Sequence, residues 1–471
     1  MGFHEPSRAV TMSLPQPVGR QVDVLYLAPE GHNVVLGTAG SGKTTMAIHR
    51  AVHLANPAVP GNGRTLLLTF NKALVIYLRH LSPAGVPNLT IEHYHQFARG
   101  YLAHRGLMGW NQILDSKDVL LAEALDQVKR SSDPSAVLDR PITFFSDEIQ
   151  WMAGNGLFRL ADYLDAARYG RSAPLQPSQR RLVFQVAETY RSLRAAAHRR
   201  YDWDDLAAAV RAELEADTDP RRYKHIVIDE GQDFSPEMIR SLVLAADPEG
   251  SVTFFGDYAQ QIYGQRMSWK SFGLKVHDVY EFKENYRNTA EIARLALAMA
   301  EMPHFRDSPD LVTPNNPTAA GPKPALVSCA SRRAEIDFVV AQADTLRRTN
   351  TVAVLFRDRA DERLVAGRLA GSTRLHREMN VWDPTPGIFH GTYHSAKGIE
   401  FDYILMPFCS DDRLPDPGVV EAFGLEEALS RESRLVYVGV TRAKYGLIIT
   451  HNGKPTPILP TTPDLYDESS A

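Results

Sequence analysis

A lysine and a threonine close a glycine-rich stretch, GTAGSGKTT, running from Gly37 to Thr45. Two adjacent acids, Asp229 and Glu230, end the apolar run Ile226-Val227-Ile228. These residue types suit phosphoryl chemistry. Glycines let backbone N–H groups of Gly37, Ala39, Gly40, Ser41 and Gly42 turn toward an anion, because no Cβ blocks the approach. A helix opening at Lys43–Thr45 adds its N-terminal partial positive charge. Lys43 can neutralise β and γ phosphates, and the Thr44 hydroxyl can ligate Mg²⁺. Asp229 can hold the metal's water shell while Glu230 polarises an attacking water. Gln260, in FFGDYAQQIY, is placed to sense a γ-phosphate. Arg287 and Arg442 come much later, and arginine suits the spread charge of a transferring phosphoryl group. Gln21, just ahead of the loop, has an amide able to reach a nucleotide base.

The elements that must position these groups read as alternating strands and helices. Val34-Val35-Leu36 runs into the loop, and Met46, Ile48, Val52 and Leu54 follow at helical spacing. Leu66 to Phe70 is a second short apolar strand, and Ala73 to Leu81 a second helix. Repeated strand–loop–helix units predict a doubly wound parallel α/β sheet with ligands at the carboxyl ends of its strands. From Asp115 to about Arg200 the pattern is helical only, which predicts an all-helical insertion. Arg191, Arg194, Arg199 and Arg200 line its end. Strand-like runs return at Tyr223 and Val252. The second half repeats the α/β pattern without a second phosphate loop. Arg287 and Arg442 would therefore complete the site from a partner domain, coupling hydrolysis to domain closure.

Composition narrows the class. The chain has 471 residues, 44% hydrophobic, enough for two or three cores. A net charge of -4 means that any basic groove must be local. Cys329 and Cys409 cannot build a disulfide framework, no apolar run is long enough for a membrane span, and the start MGFHEPSRAV carries no secretory pattern. These features predict a cytoplasmic protein.

Taken together, GTAGSGKTT, LLLTFNKAL, YDWDDL, IVIDEGQDF, FFGDYAQQIY, ENYRNT, GTYHSAKGIEF and RLVYVGVTRAK resemble, in order, the blocks of the UvrD/Rep-like superfamily 1 helicases. The resemblance implies two RecA-like P-loop NTPase domains with parallel sheets, ATP with Mg²⁺, and a DNA substrate, single-stranded or a tailed duplex. Domain 1 would take residues 21–95 and 201–282, the helical accessory insertion 96–200, and domain 2 residues 283–455. Residues 1–20 would be a lead-in and 456–471 a tail. Carried over residue by residue, Lys43 and Thr44 bind phosphate and metal, Asp229 the metal, and Glu230 acts as base. Gln260 couples the γ-phosphate to the DNA groove. Tyr286 stacks on adenine and Gln21 reads its edge. Arg287 and Arg442 are arginine fingers, and Glu400 contacts ribose. Phe70, Asn71, Tyr94, His95, Arg266 and His394 fall in blocks that face single-stranded DNA.

Three departures stand out. Gln265 occupies the place of a base-stacking tryptophan, for which Trp269 is the substitute. The segment at Gln21 lacks the family's Leu-Asn lead. Only a short stretch near Met379 to Gly387 lies where full-length members insert a second accessory domain. The expected function is a 3′ to 5′ DNA translocase or helicase. The alternative is a DNA- and ATP-binding helper subunit that regulates a separate nuclease, in repair or anti-phage defence. A metabolic phosphate-loop kinase would leave Arg442, Gln260 and HSAKGIEF unexplained.

Overall fold

The computed structural model describes residues 15–38, 40–70, 72–81, 86–168, 171, 174–219, 222–256, 269–282, 288–305, 319–376 and 385–471. Among the named site residues, Ala39, Asn71, Gln260, Arg266, Tyr286 and Arg287 lie outside them, as does Gln265.

The first sheet starts with β1 (Gly31–Gly37), β2 (Thr65–Thr69) and β3 (Leu89–His93). Apart from it, β4 (Ile113–Leu114) and β5 (Tyr201–Asp202) pair as a small ribbon. The chain returns with β6 (Tyr223–Ile228), β7 (Ala246–Gly256) and β8 (Val276–Phe282), giving the order β3-β2-β6-β7-β1-β8. The second sheet takes β9 (Ala325–Cys329), β10 (Thr351–Phe356), β11 (Thr373–Arg374), β12 (Gly387–Thr392), β13 (Phe401–Met406), β14 (Ala443–Asn452) and β15 (Asp467–Ser470). Its order is β11-β12-β10-β13-β14-β9-β15. Each strand pairing within the two sheets is parallel. Both are therefore mixed α/β lobes of the RecA-like kind, as the block pattern predicts.

Alternation decides which core each side chain joins. Val34, Leu36, Leu66, Leu68, Ile226 and Ile228 pack on one face of the first sheet, while Val35, Leu67 and Val227 pack on the other. Strands covered on both faces read as unbroken apolar runs, which is why they were legible. In the second lobe Ala353 and Leu355 face one core, and Val352, Val354 and Phe356 the opposite one. A separate core, from Leu121 to Tyr190, holds the helices Asp118–Ser131, Ile142–Asn155, Leu160–Asp165 and Pro177–Ala196 together.

The structure adds elements that periodicity did not reveal. β3 and β8 carry mixed polar sequences, LTIEH and VHDVYEF. The helix Tyr94–His104 buries Phe97, Ala98, Tyr101 and Leu102 against the first sheet, not in the helical group. The helical group also touches the second lobe. Phe423, ending the helix Pro417–Phe423, packs against its core. Arg431 stacks over Phe423 at 3.9 Å and bridges Asp147 at 3.0 Å.

Candidate functional site

The phosphate loop leaves β1 at Gly37 and enters the helix Lys43–Ala55. Gly42 caps that helix with a left-handed φ of 83°. A Cβ there would stand 2.8 Å from the Gln21 amide nitrogen, a side-chain tip that can move aside, so it is the backbone angle that demands glycine. Lys43 is buried, and its Nζ donates to the carbonyls of Gly37 at 2.9 Å and Thr38 at 2.6 Å. Thr44 and Thr45 follow, half-buried, on the first turn.

Gln21 lies on the short helix Arg20–Leu25. Its Nε2 donates to the Ser41 carbonyl at 3.1 Å, so it braces the loop. Arg50 holds this helix in place. Its guanidinium is fully buried and donates to the carbonyls of Leu25, Leu27 and Ala28 at 2.7–2.9 Å. Burial lowers its pKa to about 10, still cationic at neutral pH. Sequence reading missed Arg50, because an arginine in the apolar stripe of a helix has no local signature.

β6 delivers Asp229 beside the loop, anchored by its N–H to the Leu68 carbonyl at 2.8 Å. Asp229 is 1% exposed and accepts a hydrogen bond from Thr44. Burial, reinforced by the Glu230 carboxylate, raises its pKa. Its Oδ2 has no hydrogen-bond partner among the described residues. An orphaned buried carboxylate oxygen beside a threonine hydroxyl is a donor set that fits Mg²⁺, which takes few protein oxygens and completes its shell with water and phosphate. Among the described residues no cluster of three acidic, His or Cys side chains forms a dedicated metal cage.

Glu230 adopts φ 51°, uncommon for a non-glycine residue and often found where function holds strain. Burial pushes its pKa up, but Arg442, Lys397 and Lys43 outweigh that and keep it ionised. Gln232 donates to its Oε2. Of these three cations, Arg442 and Lys397 come from the second lobe. Arg442 stands between the helix Leu425–Val440 and β14, 1% exposed, with Nε donating to the Val438 carbonyl at 3.1 Å. Glu400 precedes the adjacent β13 and lies 3.9 Å from Lys444.

A buried ion pair joins the lobes: Lys397 Nζ contacts Asp233 Oδ1, with side chains 6% and 7% exposed. Next to it Gly398 has φ 80°, and a Cβ would lie 2.5 Å from Leu74 of the first lobe. Ile76 and Tyr77 of the same helix pack on the second core. Lys397 and Asp233 lie inside recognised blocks, but sequence does not reveal their pairing, which spans 164 residues. Burial pushes the Asp233 pKa up to about 6 despite Lys397. Lys397→Met should lower the urea-unfolding midpoint, since stranding one member of a buried pair costs about 3–5 kcal/mol. Asp233→Leu combined with Lys397→Met should recover most of the loss. The deficit of the single variant should shrink as pH falls toward about 6, because Asp233 without Lys397 takes up its proton at a higher pH than in the wild type and then needs no cation. An unchanged midpoint at pH 8 would refute the pair's structural role.

The residues expected to face a nucleic-acid strand divide. Phe70 and His95 are half-buried with ring centroids 5.7 Å apart. Trp203 joins His95 at 5.4 Å, and Phe234 joins Phe70 at 6.1 Å. Trp203 is an addition to the sequence reading, although YDWDDL was recognised. Tyr94 is corrected: it is fully buried, with its hydroxyl 2.7 Å from Ser241 Oγ. Trp269 is half-buried, its ring edge-on to Phe254 at 5.2 Å at the margin of the first core, where Phe70 and Trp203 also pack. His394 is open to solvent, yet protein crowds it, and this desolvation with Lys397 and Arg357 lowers its pKa to about 4. Of the arginines ending the helical group, Arg194 is taken by Asp202 at 2.9 Å and Asp205 at 2.6 Å. Arg191 lies over Phe158 and Phe184.

A phosphate loop at the carboxyl edge of one parallel sheet, with an arginine and a lysine of a second lobe turned to its acids, defines a two-lobed P-loop nucleotide-binding protein. The UvrD/REP helicase N-terminal domain family matches residues 20–281, more than half of the chain, and the UvrD-like helicase C-terminal domain family matches residues 372–454. The chain belongs to the UvrD/Rep helicase family. It is 27% identical over 361 residues to the ATP-dependent DNA helicase UvrD2 of Mycobacterium tuberculosis, covering 70% of this chain and 50% of that protein. It is 26% identical over 359 residues to the ATP-dependent DNA helicase srs2 of Schizosaccharomyces pombe, covering 70% and 40%. A 60-residue stretch is 43% identical to DNA helicase II of Rickettsia typhi, covering 13% and 9%. The chain spans about half the length, or less, of these curated relatives. Among the described residues no helix is long and apolar enough to cross a membrane.

Proposed function

We propose that this chain is an ATP-dependent DNA translocase that moves 3′ to 5′ on single-stranded DNA and separates duplex ahead of it. The observation that carries this reading is the set of second-lobe cations, Arg442 and Lys397, acting on Glu230 of the first lobe. A triphosphate on the Lys43 loop would then be gripped from both sides. Mg²⁺, held by Thr44 and Asp229, would supply charge neutralisation at the β and γ phosphates. Glu230 takes the proton of the attacking water, and Arg442 stabilises charge on the transferring group. Gln260, Arg287, Tyr286 and Glu400 complete the nucleotide site in this reading. Loss of the γ-phosphate weakens the grip of the second lobe, the cleft reopens, and the aromatic cluster around Phe70 releases and re-engages bases. Stacking of this kind is worth ~1–3 kcal/mol per base and tolerates any sequence.

ATP turnover should rise severalfold when a single-stranded oligonucleotide is added. Turnover indifferent to oligonucleotide at any concentration overturns the motor reading. A helper role beside a separate nuclease, in the cytoplasm, is the second reading. Its support is the short connection between β11 and β12, where the resemblance implies a large accessory domain in full-length members. Robust strand displacement on a tailed duplex by the chain alone would dismiss it.

A further inference from the structure

Trp110 is 98% exposed, the most open large apolar side chain among the described residues. A tryptophan in water forgoes one of the largest burials a side chain can offer. A lone surface ring would need no explanation, but this one is built into a basic turn. Gly109 N–H donates to Gln112 Oε1 at 3.1 Å, and Asn111 has a left-handed φ of 62°. The Arg199 guanidinium donates to the Asn111 carbonyl, fixing a positive charge against the backbone of the turn. Arg200 lies over the Tyr201 ring at 5.3 Å and is itself exposed.

Most carboxylates around the ribbon are already paired, with the exposed Asp115 after β4 an exception among the described residues. Asp204 is taken by Lys117, Asp202 and Asp205 by Arg194, and Asp217 by Arg105. Arg199 and Arg200 have no carboxylate partner among the described residues, although the chain as a whole is acidic. The turn is also continuous with the aromatic cluster. Tyr201 N–H donates to the Gln112 carbonyl at 3.0 Å, binding β5 to the turn, and Trp203, two residues on, touches His95.

We propose that a DNA strand leaving the Phe70–His95–Trp203 cluster runs along the β4–β5 ribbon, stacks a base on Trp110 and sets its phosphates against Arg199 and Arg200. An exposed indole offers an aromatic face to any base, and unpaired guanidiniums attract the phosphates between bases. This is a second contact outside the cleft, and it rests on the nucleic-acid reading above.

The test compares dye-labelled oligothymidylates by fluorescence anisotropy, a short one that fills the cluster alone and a longer one that also reaches the ribbon. The wild-type chain should bind the longer strand more tightly. Trp110→Ala should weaken the longer strand by roughly fivefold or more and leave the short one unchanged. Arg200→Ala should flatten the log–log salt dependence on the longer strand by about 0.7, the value of one released phosphate contact. Thermal melting of both variants should match the wild type, since neither side chain is buried. Unchanged affinity of Trp110→Ala for the longer strand overturns the proposal, and so does an equal loss on both lengths. Should the wild type bind neither strand, the nucleic-acid reading falls and takes this site with it. Binding by the wild type with an indifferent Trp110→Ala sinks this site alone.

Discussion

Replacing Arg442 with alanine should cut ATP turnover by about 10³–10⁵-fold while a fluorescent ATP analogue still binds. The size follows from placement. Arg442 is the second-lobe cation with the largest hold on Glu230, and it is almost completely withdrawn from water. A guanidinium in so dry a site stabilises developing phosphoryl charge far more than it would in solvent. Nucleotide affinity depends mainly on the Lys43 loop, so binding should survive. Arg442→Lys keeps the charge but loses the planar fork, and turnover should remain well below wild type. Because Arg442 is buried, ATP-induced thermal stabilisation serves as the folding control. A folded Arg442→Ala chain with turnover within tenfold of wild type would remove the arginine from the reaction and break the proposed link between lobe closure and hydrolysis.

Glu230→Gln should lower the single-turnover hydrolysis rate by about 10²–10⁴-fold. The change is nearly isosteric and keeps the contact with Gln232, but it removes the proton acceptor. The two adjacent acids are driven apart by surroundings. Asp229 is raised by burial and by its neighbour, whereas Arg442, Lys397 and Lys43 hold Glu230 ionised against the same burial. An ionised carboxylate at this position is what a general base requires. Removing its charge also leaves three cations with one fewer counter-charge, so ATP affinity should rise or hold. Hydrolysis close to the wild-type rate would transfer the role of base elsewhere.

Much of the nucleotide site was legible in the chain. Gly37 to Thr45 is contiguous, and its geometry comes from backbone N–H groups and one helix terminus, so type and spacing suffice. The strands flanking it were equally readable, because Leu66 to Leu68 and Ile226 to Ile228 are covered on both faces. β8 was not, since among the described residues VHDVYEF pairs with β1 alone and it mixes polar with apolar residues.

What the amino-acid sequence determined by itself is the fold class, the phosphate loop, and the order of the blocks that define the family. The tertiary structure alone decided which aromatics stay open and which cations meet which acids. Tyr94 looks like a surface stacker in its motif, yet Ser241, 147 residues away in the chain, holds its hydroxyl inside. Lys397 and Asp233, and Arg442 and Glu230, meet only because two sheets close on each other. Burial and electrostatic contact depend on which elements pack together, and local periodicity carries no information about the partner across the interface.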